Sequence, residues 1–187
     1  MHLEEMMKFN REFVEKKEYE KYQAGKYPAK KTAILTCMDT RLTELLPAAL
    51  GIRNGDVKMI KNAGAVISHP YGSVMHSLVI AVYELGVEEV WVIGHDDCGM
   101  QNVDSKALIR HMHERGITDV DIARSDGATG GIEDWLRGFH DVNEAVLKTA
   151  EIVRNHPLMP KELRVAALIM DPVTGAVRAA EKETEEK

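Results

Sequence analysis

The chain has 187 residues, 44% of them hydrophobic, which suits one globular domain with a sizeable core and leaves too few residues for a second of similar size. Its formal charge of −6, with acidic residues gathered near the N-terminus and from Glu181 to Lys187, offers no basic face for a phosphate backbone and argues against a nucleic-acid partner. The longest apolar runs, such as Val165 to Met170, fall far short of the roughly 20 residues of a membrane helix, and Met1 to Glu20 lacks the apolar centre of a signal peptide, so a cytoplasmic protein without membrane attachment is expected.

Residues Met1 to Tyr22 set Leu3, Met6, Met7, Phe9, Phe13 and Val14 among charges at helix-like spacing, and Gly25 to Pro28 ends that pattern. The β-prone run Ala33 to Thr36 leads into Cys37-Met38-Asp39-Thr40-Arg41, followed by a helix-favouring stretch from Thr43 to Leu50. A second strand is predicted at Val57 to Ile60. After the loop Lys61 to Gly64 comes a helix from about Ser73, with Val74, Leu78 and Val82 on one face and a stop at Gly86.

Val90 to Ile93 reads as a strand buried on both faces, and it runs straight into Gly94-His95-Asp96-Asp97-Cys98-Gly99-Met100. Helices are predicted near Ser105 to Arg115 and from Gly131 to Asn155, with Gly127 to Gly131 as a flexible connection before the second. A last core strand falls at Val165 to Met170, and Asp171 to Gly175 turns the chain into a short edge strand at Ala176 to Arg178.

Strands alternating with helices imply right-handed crossovers and an α/β fold on a mainly parallel sheet, where ligands sit beyond the carboxyl ends of the strands. Cys37 and His95 both fall at such ends. Neighbouring strands would bring Cys37, His95 and Cys98 together as two thiolates and an imidazole, a set that suits zinc better than magnesium or calcium and leaves a fourth position open. Taken alone, the spacing fits equally a pair of buried cysteines and a hydrogen-bonded loop histidine. Asp39 and Arg41 read either as a device for orienting a metal-bound water or as an ordinary loop ion pair. Asp96 reads as a solvated loop residue and Asp97 as a helix N-cap. Lys61, Asn62 and Gly64 either line a substrate path or only shape their loop.

Cys37-Met38-Asp39-Thr40-Arg41 followed by Gly94-His95-Asp96-Asp97-Cys98-Gly99 closely resembles the paired signature of the beta-class carbonic anhydrases, in its short prokaryotic branch. Gly55 to Gly64 and the turn Asp171 to Gly175 share in the resemblance, which runs from about Thr32 to Val177. It implies one zinc per chain on Cys37, His95 and Cys98, with Asp39 and Arg41 as a catalytic dyad beside it and an antiparallel strand at one edge of the sheet. It further implies a homodimer or dimer of dimers whose N-terminal helix embraces the partner, with Met1 to Tyr22 as that arm. Met100 departs from the pattern, standing where many relatives carry a second glycine.

The organisation expected is a single domain over 1–187, with a helical arm at 1–24, a zinc-binding α/β core at 31–178 and a charged tail at 179–187. The activity implied is reversible hydration of carbon dioxide to bicarbonate, by zinc-bound hydroxide that the Asp39–Arg41 dyad orients. Hydrolysis of carbon disulfide or carbonyl sulfide at the same site is one rival. A non-catalytic zinc-stabilised module is a second, and a Cys37–Cys98 redox switch a third.

Overall fold

Five short runs rich in aliphatic residues build one sheet: β1 (Thr32–Cys37), β2 (Val57–Asn62), β3 (Glu89–His95), β4 (Arg164–Met170) and β5 (Val177–Ala179). The computed structural model describes residues 2–181, apart from the side chains of residues 126–129, so the end of the expected charged tail lies outside the described residues. The strand order is β2-β1-β3-β4-β5. Pairing is parallel through β4 and antiparallel from β4 to β5, as the resemblance implies.

Central position explains the composition of β1: with strands on both sides and helices on both faces, all six of its residues are buried. Its polar members are satisfied; the Thr36 hydroxyl donates to the Ile93 carbonyl at 2.8 Å. Parallel register sets Thr36 opposite Ile93, so β1 and β3 end level with one another and deliver Cys37 and His95 to the same rim.

The helices are α1 (Leu3–Glu15), α2 (Leu42–Ala49), α3 (Ser73–Tyr83), α4 (Ser105–Glu114), α5 (Asp119–Thr129), α6 (Ile132–Leu136) and α7 (Val142–Asn155). On one face of the sheet Ile34 and Ile93 pack with Leu42 and Leu46 of α2. On the other, Ala33, Leu35 and Val90 meet Met75, Leu78 and Ala81 of α3, while Val92 and Ile169 meet Val142 and Val146 of α7. Wholly buried leucines such as Leu46 and Leu78 each contribute about 2 kcal/mol.

One expectation is sharpened and two need correction. The face of α3 that buries deepest is Met75, Leu78 and Ala81, with Val74 and Val82 half-buried beside it. The helix expected from Gly131 to Asn155 is two helices. Between them Gly138 lies flat on the loop after β3, where an added Cβ would stand 2.1 Å from the Met100 carbonyl oxygen, and Asp141 caps α7 by accepting from the Glu144 N–H at 2.7 Å. The flexible connection expected from Gly127 is helical as far as Thr129, where α5 ends.

At the N-terminus, α1 stops at Glu15, Lys17 takes a left-handed conformation (φ 54°), and a 3-10 turn covers Glu18–Tyr22. No residue of α1 is buried; Leu3 is 73% exposed and Phe9 70%. No helix among the described residues is long and apolar enough to cross a membrane.

Candidate metal centre

Two loops at the carboxyl rim of the sheet form the site, each launched by a central strand. Cys37 closes β1 and is 4% exposed, and His95 closes β3 with no exposure at all. Gly94 lets α7 lie directly against this end of β3: a Cβ there would stand 2.6 Å from Val146 Cγ1. The next turn brings Cys98 back to Cys37. The ligand atoms of Cys37, His95 and Cys98 all lie within 4.8 Å of one another, as the sequence spacing predicts.

The atomic detail fits a metal. His95 Nδ1 lies 2.8 Å from the Asp96 carbonyl oxygen, which places the ring proton on Nδ1 and leaves the Nε2 lone pair free. That Nε2 is buried and has no hydrogen-bond partner. Such an atom is costly unless something electropositive meets it. The two sulfurs are 3.8 Å apart. Both cysteines are free, and a disulfide would need about 2.05 Å. Two sulfurs bound at about 2.3 Å to one tetrahedral zinc stand about 3.8 Å apart.

The sulfurs lie close enough for one thiol to hydrogen-bond to the other. A hydrogen bond from Cys98 holds the Cys37 thiol well below its ordinary value, helped by His95 and by the N–H groups of Asp39 and Gly64, while the same bond and then burial push Cys98 up. Burial pushes His95 down, but the adjacent Cys37 sulfur, the Asp96 carbonyl and the Asp39 carboxylate outweigh it, and the net direction is upward. The site thus already gathers negative charge around an imidazole, the environment a divalent cation would occupy.

Asp39 and Arg41 are joined in the way the sequence suggested. Arg41 Nε donates to Asp39 Oδ1 at 3.0 Å and Nη2 to Oδ2 at 2.9 Å, and the Arg41 backbone N–H adds a third bond at 2.9 Å. This last N–H further steadies the carboxylate. The guanidinium holds the Asp39 carboxyl down to about 2. Asp39 Oδ2 stands 3.7 Å from His95 Nε2, so the carboxylate borders the position a metal would take.

Asp96 and Asp97 depart from their expected roles. Asp97 caps no helix; it is left-handed (φ 52°), and Arg41 donates both to its carboxylate and to its carbonyl, each at 2.8 Å. Asp96 is gripped by both terminal nitrogens of Arg178, at 2.6 and 2.7 Å. Arg178 escaped the sequence reading because its partner lies 82 residues away, and no local spacing marks a pair that sheet topology creates. At the end of β2, Asn62 pairs with Cys37 across the strands and Gly64, just beyond, directs its N–H at the Cys37 sulfur, while Lys61 Nζ reaches away to the Thr43 hydroxyl. Met100 and Phe139 pack against the cysteine cluster and also line an adjoining cleft of about 470 Å³ with Val66 and Trp135.

A family model described as carbonic anhydrase matches residues 32–177. The Bacillus subtilis protein YvdA, provisionally named a carbonic anhydrase, is 46% identical over 173 residues, covering 92% of this chain and 88% of its own. A carbon disulfide hydrolase from Acidithiobacillus thiooxidans is 30% identical over 78% of this chain and 74% of its own. The crystal structure of a beta-carbonic anhydrase from Trichomonas vaginalis superposes with a TM-score of 0.86 at 30% identity, covering 98% of this chain and 100% of that one. The chain therefore belongs to the beta-carbonic anhydrase family, a family of enzymes.

Proposed function

We propose that this protein is a zinc-dependent carbonic anhydrase that interconverts carbon dioxide and bicarbonate, with Cys37, His95 and Cys98 as the metal ligands. The observation that carries this reading is the buried, partnerless Nε2 of His95 facing two unpaired sulfurs, beside a carboxylate that an arginine holds ready. Zinc, when bound, supplies the positive charge that acidifies a water molecule and polarises an oxygen.

The remaining chemistry belongs to the chain. Held at about 2, Asp39 is ionised at every physiological pH, so it accepts hydrogen bonds and does not store the proton that hydration releases. It takes a hydrogen bond from the attacking oxygen and turns a lone pair toward the carbon of a linear substrate. Arg41 keeps both carboxylate oxygens engaged and so keeps Asp39 off the metal position. The released proton passes to buffer. Met100 and Phe139 wall the site with apolar surface, which suits an uncharged triatomic molecule.

The chain acts as a single domain, with 31–178 as the catalytic core. The exposed apolar side chains of α1 support an arm at 1–24 that covers a second copy in a homodimer or a dimer of dimers. Two unpaired thiols suit a cytoplasmic location.

Stopped-flow hydration of carbon dioxide, run against a Cys37→Ala control, tests the activity; hydration no faster than the control overturns it. The likeness to a carbon disulfide hydrolase favours a second reading, hydrolysis of carbon disulfide or carbonyl sulfide. Hydrogen sulfide release measured on the same preparation decides between them. One zinc per chain with no turnover of any of these substrates leaves the non-catalytic module.

A further inference from the structure

The loop His95–Cys98 supplies two of the three proposed ligands, and both residues between them are held by arginines from other elements. Asp97 is bound by Arg41, from the loop after β1. Asp96 is bound by Arg178, which sits opposite Ile169 in the edge strand β5. The Asp96 backbone is fixed as well, its N–H donating to the Met170 carbonyl at 3.0 Å. The Asp96 carbonyl is the group that receives His95 Nδ1. Arg178 thus reaches the imidazole through a single residue: guanidinium to carboxylate, backbone to ring.

We propose that Arg178 is a positioning residue for the metal centre, its two bonds to Asp96 locking the carbonyl that aims His95 Nε2 at the metal. The inference rests on the zinc reading above. Outer partners of a ligating histidine fix its tautomer and ring angle, and losing them costs about 10–100-fold in metal affinity. The paired fork is what a lysine cannot reproduce. Arg178 touches neither ligand atoms nor the Asp39–Arg41 pair, so its removal isolates positioning from chemistry.

The experiment follows zinc transfer from the holoprotein to a chromogenic chelator at neutral pH. Arg178→Met should release zinc about 10–100-fold faster than the wild type. Arg178→Lys should fall between, and Asp96→Asn should quicken release as well, with the double variant no faster than the faster single one. Lys31→Met, which removes the exposed Lys31–Glu88 pair, is the control for loss of a surface ion pair and should match the wild type. Release from Arg178→Met at the wild-type rate overturns the proposal, and so do additive effects of the two single changes. A wild type that takes up no zinc sinks the metal reading instead. The lock is then read in metal-free protein from the Asp96 amide, whose hydrogen exchange should quicken about tenfold in Arg178→Met and not in Lys31→Met; unchanged exchange overturns the proposal there.

Discussion

The carboxyl rim of the sheet and the N-terminal helix are opposites in how they satisfy their side chains. At the rim, the carboxylates have been brought to arginines, Asp39 and Asp97 to Arg41 and Asp96 to Arg178, and His95 Nε2 faces two sulfurs. Along α1, an apolar stripe stands in water with no residue buried. One region finds the partners of its carboxylates within the chain. The other calls for a second surface, and the cost of leaving Leu3, Met6 and Phe9 exposed is the physical reason to expect one.

The sharpest break in that contrast is Cys37→Ala, which should abolish zinc binding and take hydration to background, as read by metal analysis and stopped flow. Next, Asp39→Ala should keep the zinc yet lower kcat/KM about 100-fold, because removing a group that orients the reacting oxygen is worth roughly 3 kcal/mol. If zinc is lost as well, Asp39 is a ligand and not an orienter. Gly138→Ala drives a methyl into the Met100 carbonyl and should cost about 3 kcal/mol in urea unfolding, with α6 and α7 displaced from the ligand loop.

Deleting residues 1–24 should leave a folded, zinc-loaded core and reduce the particle mass in sedimentation. A truncated chain that keeps the full-length assembly removes the arm from the interface. The smallest effect belongs to Asp171, whose carboxyl is held below the usual carboxylate range by the N–H groups of Thr174 and Val173 in the turn before β5. A lowered native value contributes stability above the unfolded value of about 4 and loses it as pH falls through the native one. The stability gap between wild type and Asp171→Ala should therefore hold at pH 7 and shrink below pH 4 in urea titrations.

Legibility in the sequence followed the range of the interaction. The strands, the turn at Asp171 and the pairing of Asp39 with Arg41 are local, and each could be read from residues within a few positions of one another. Cys37 and His95 meet across 58 positions; spacing alone left that open, and the resemblance of the two motifs to a known family signature is what made it legible. α5 carries little amphipathic pattern to betray it, and the break between α6 and α7 depends on how closely Gly138 approaches a loop far back in the chain.

By itself, then, the sequence determined which strands form and that the fold is α/β, while its resemblance to a known family named the three side chains that converge. Tertiary structure alone decided what Asp96 and Asp97 do. Their partners, Arg178 and Arg41, arrive from the edge strand and from the loop after β1, and a charge finds its counter-ion by proximity in space, which no spacing along the chain records.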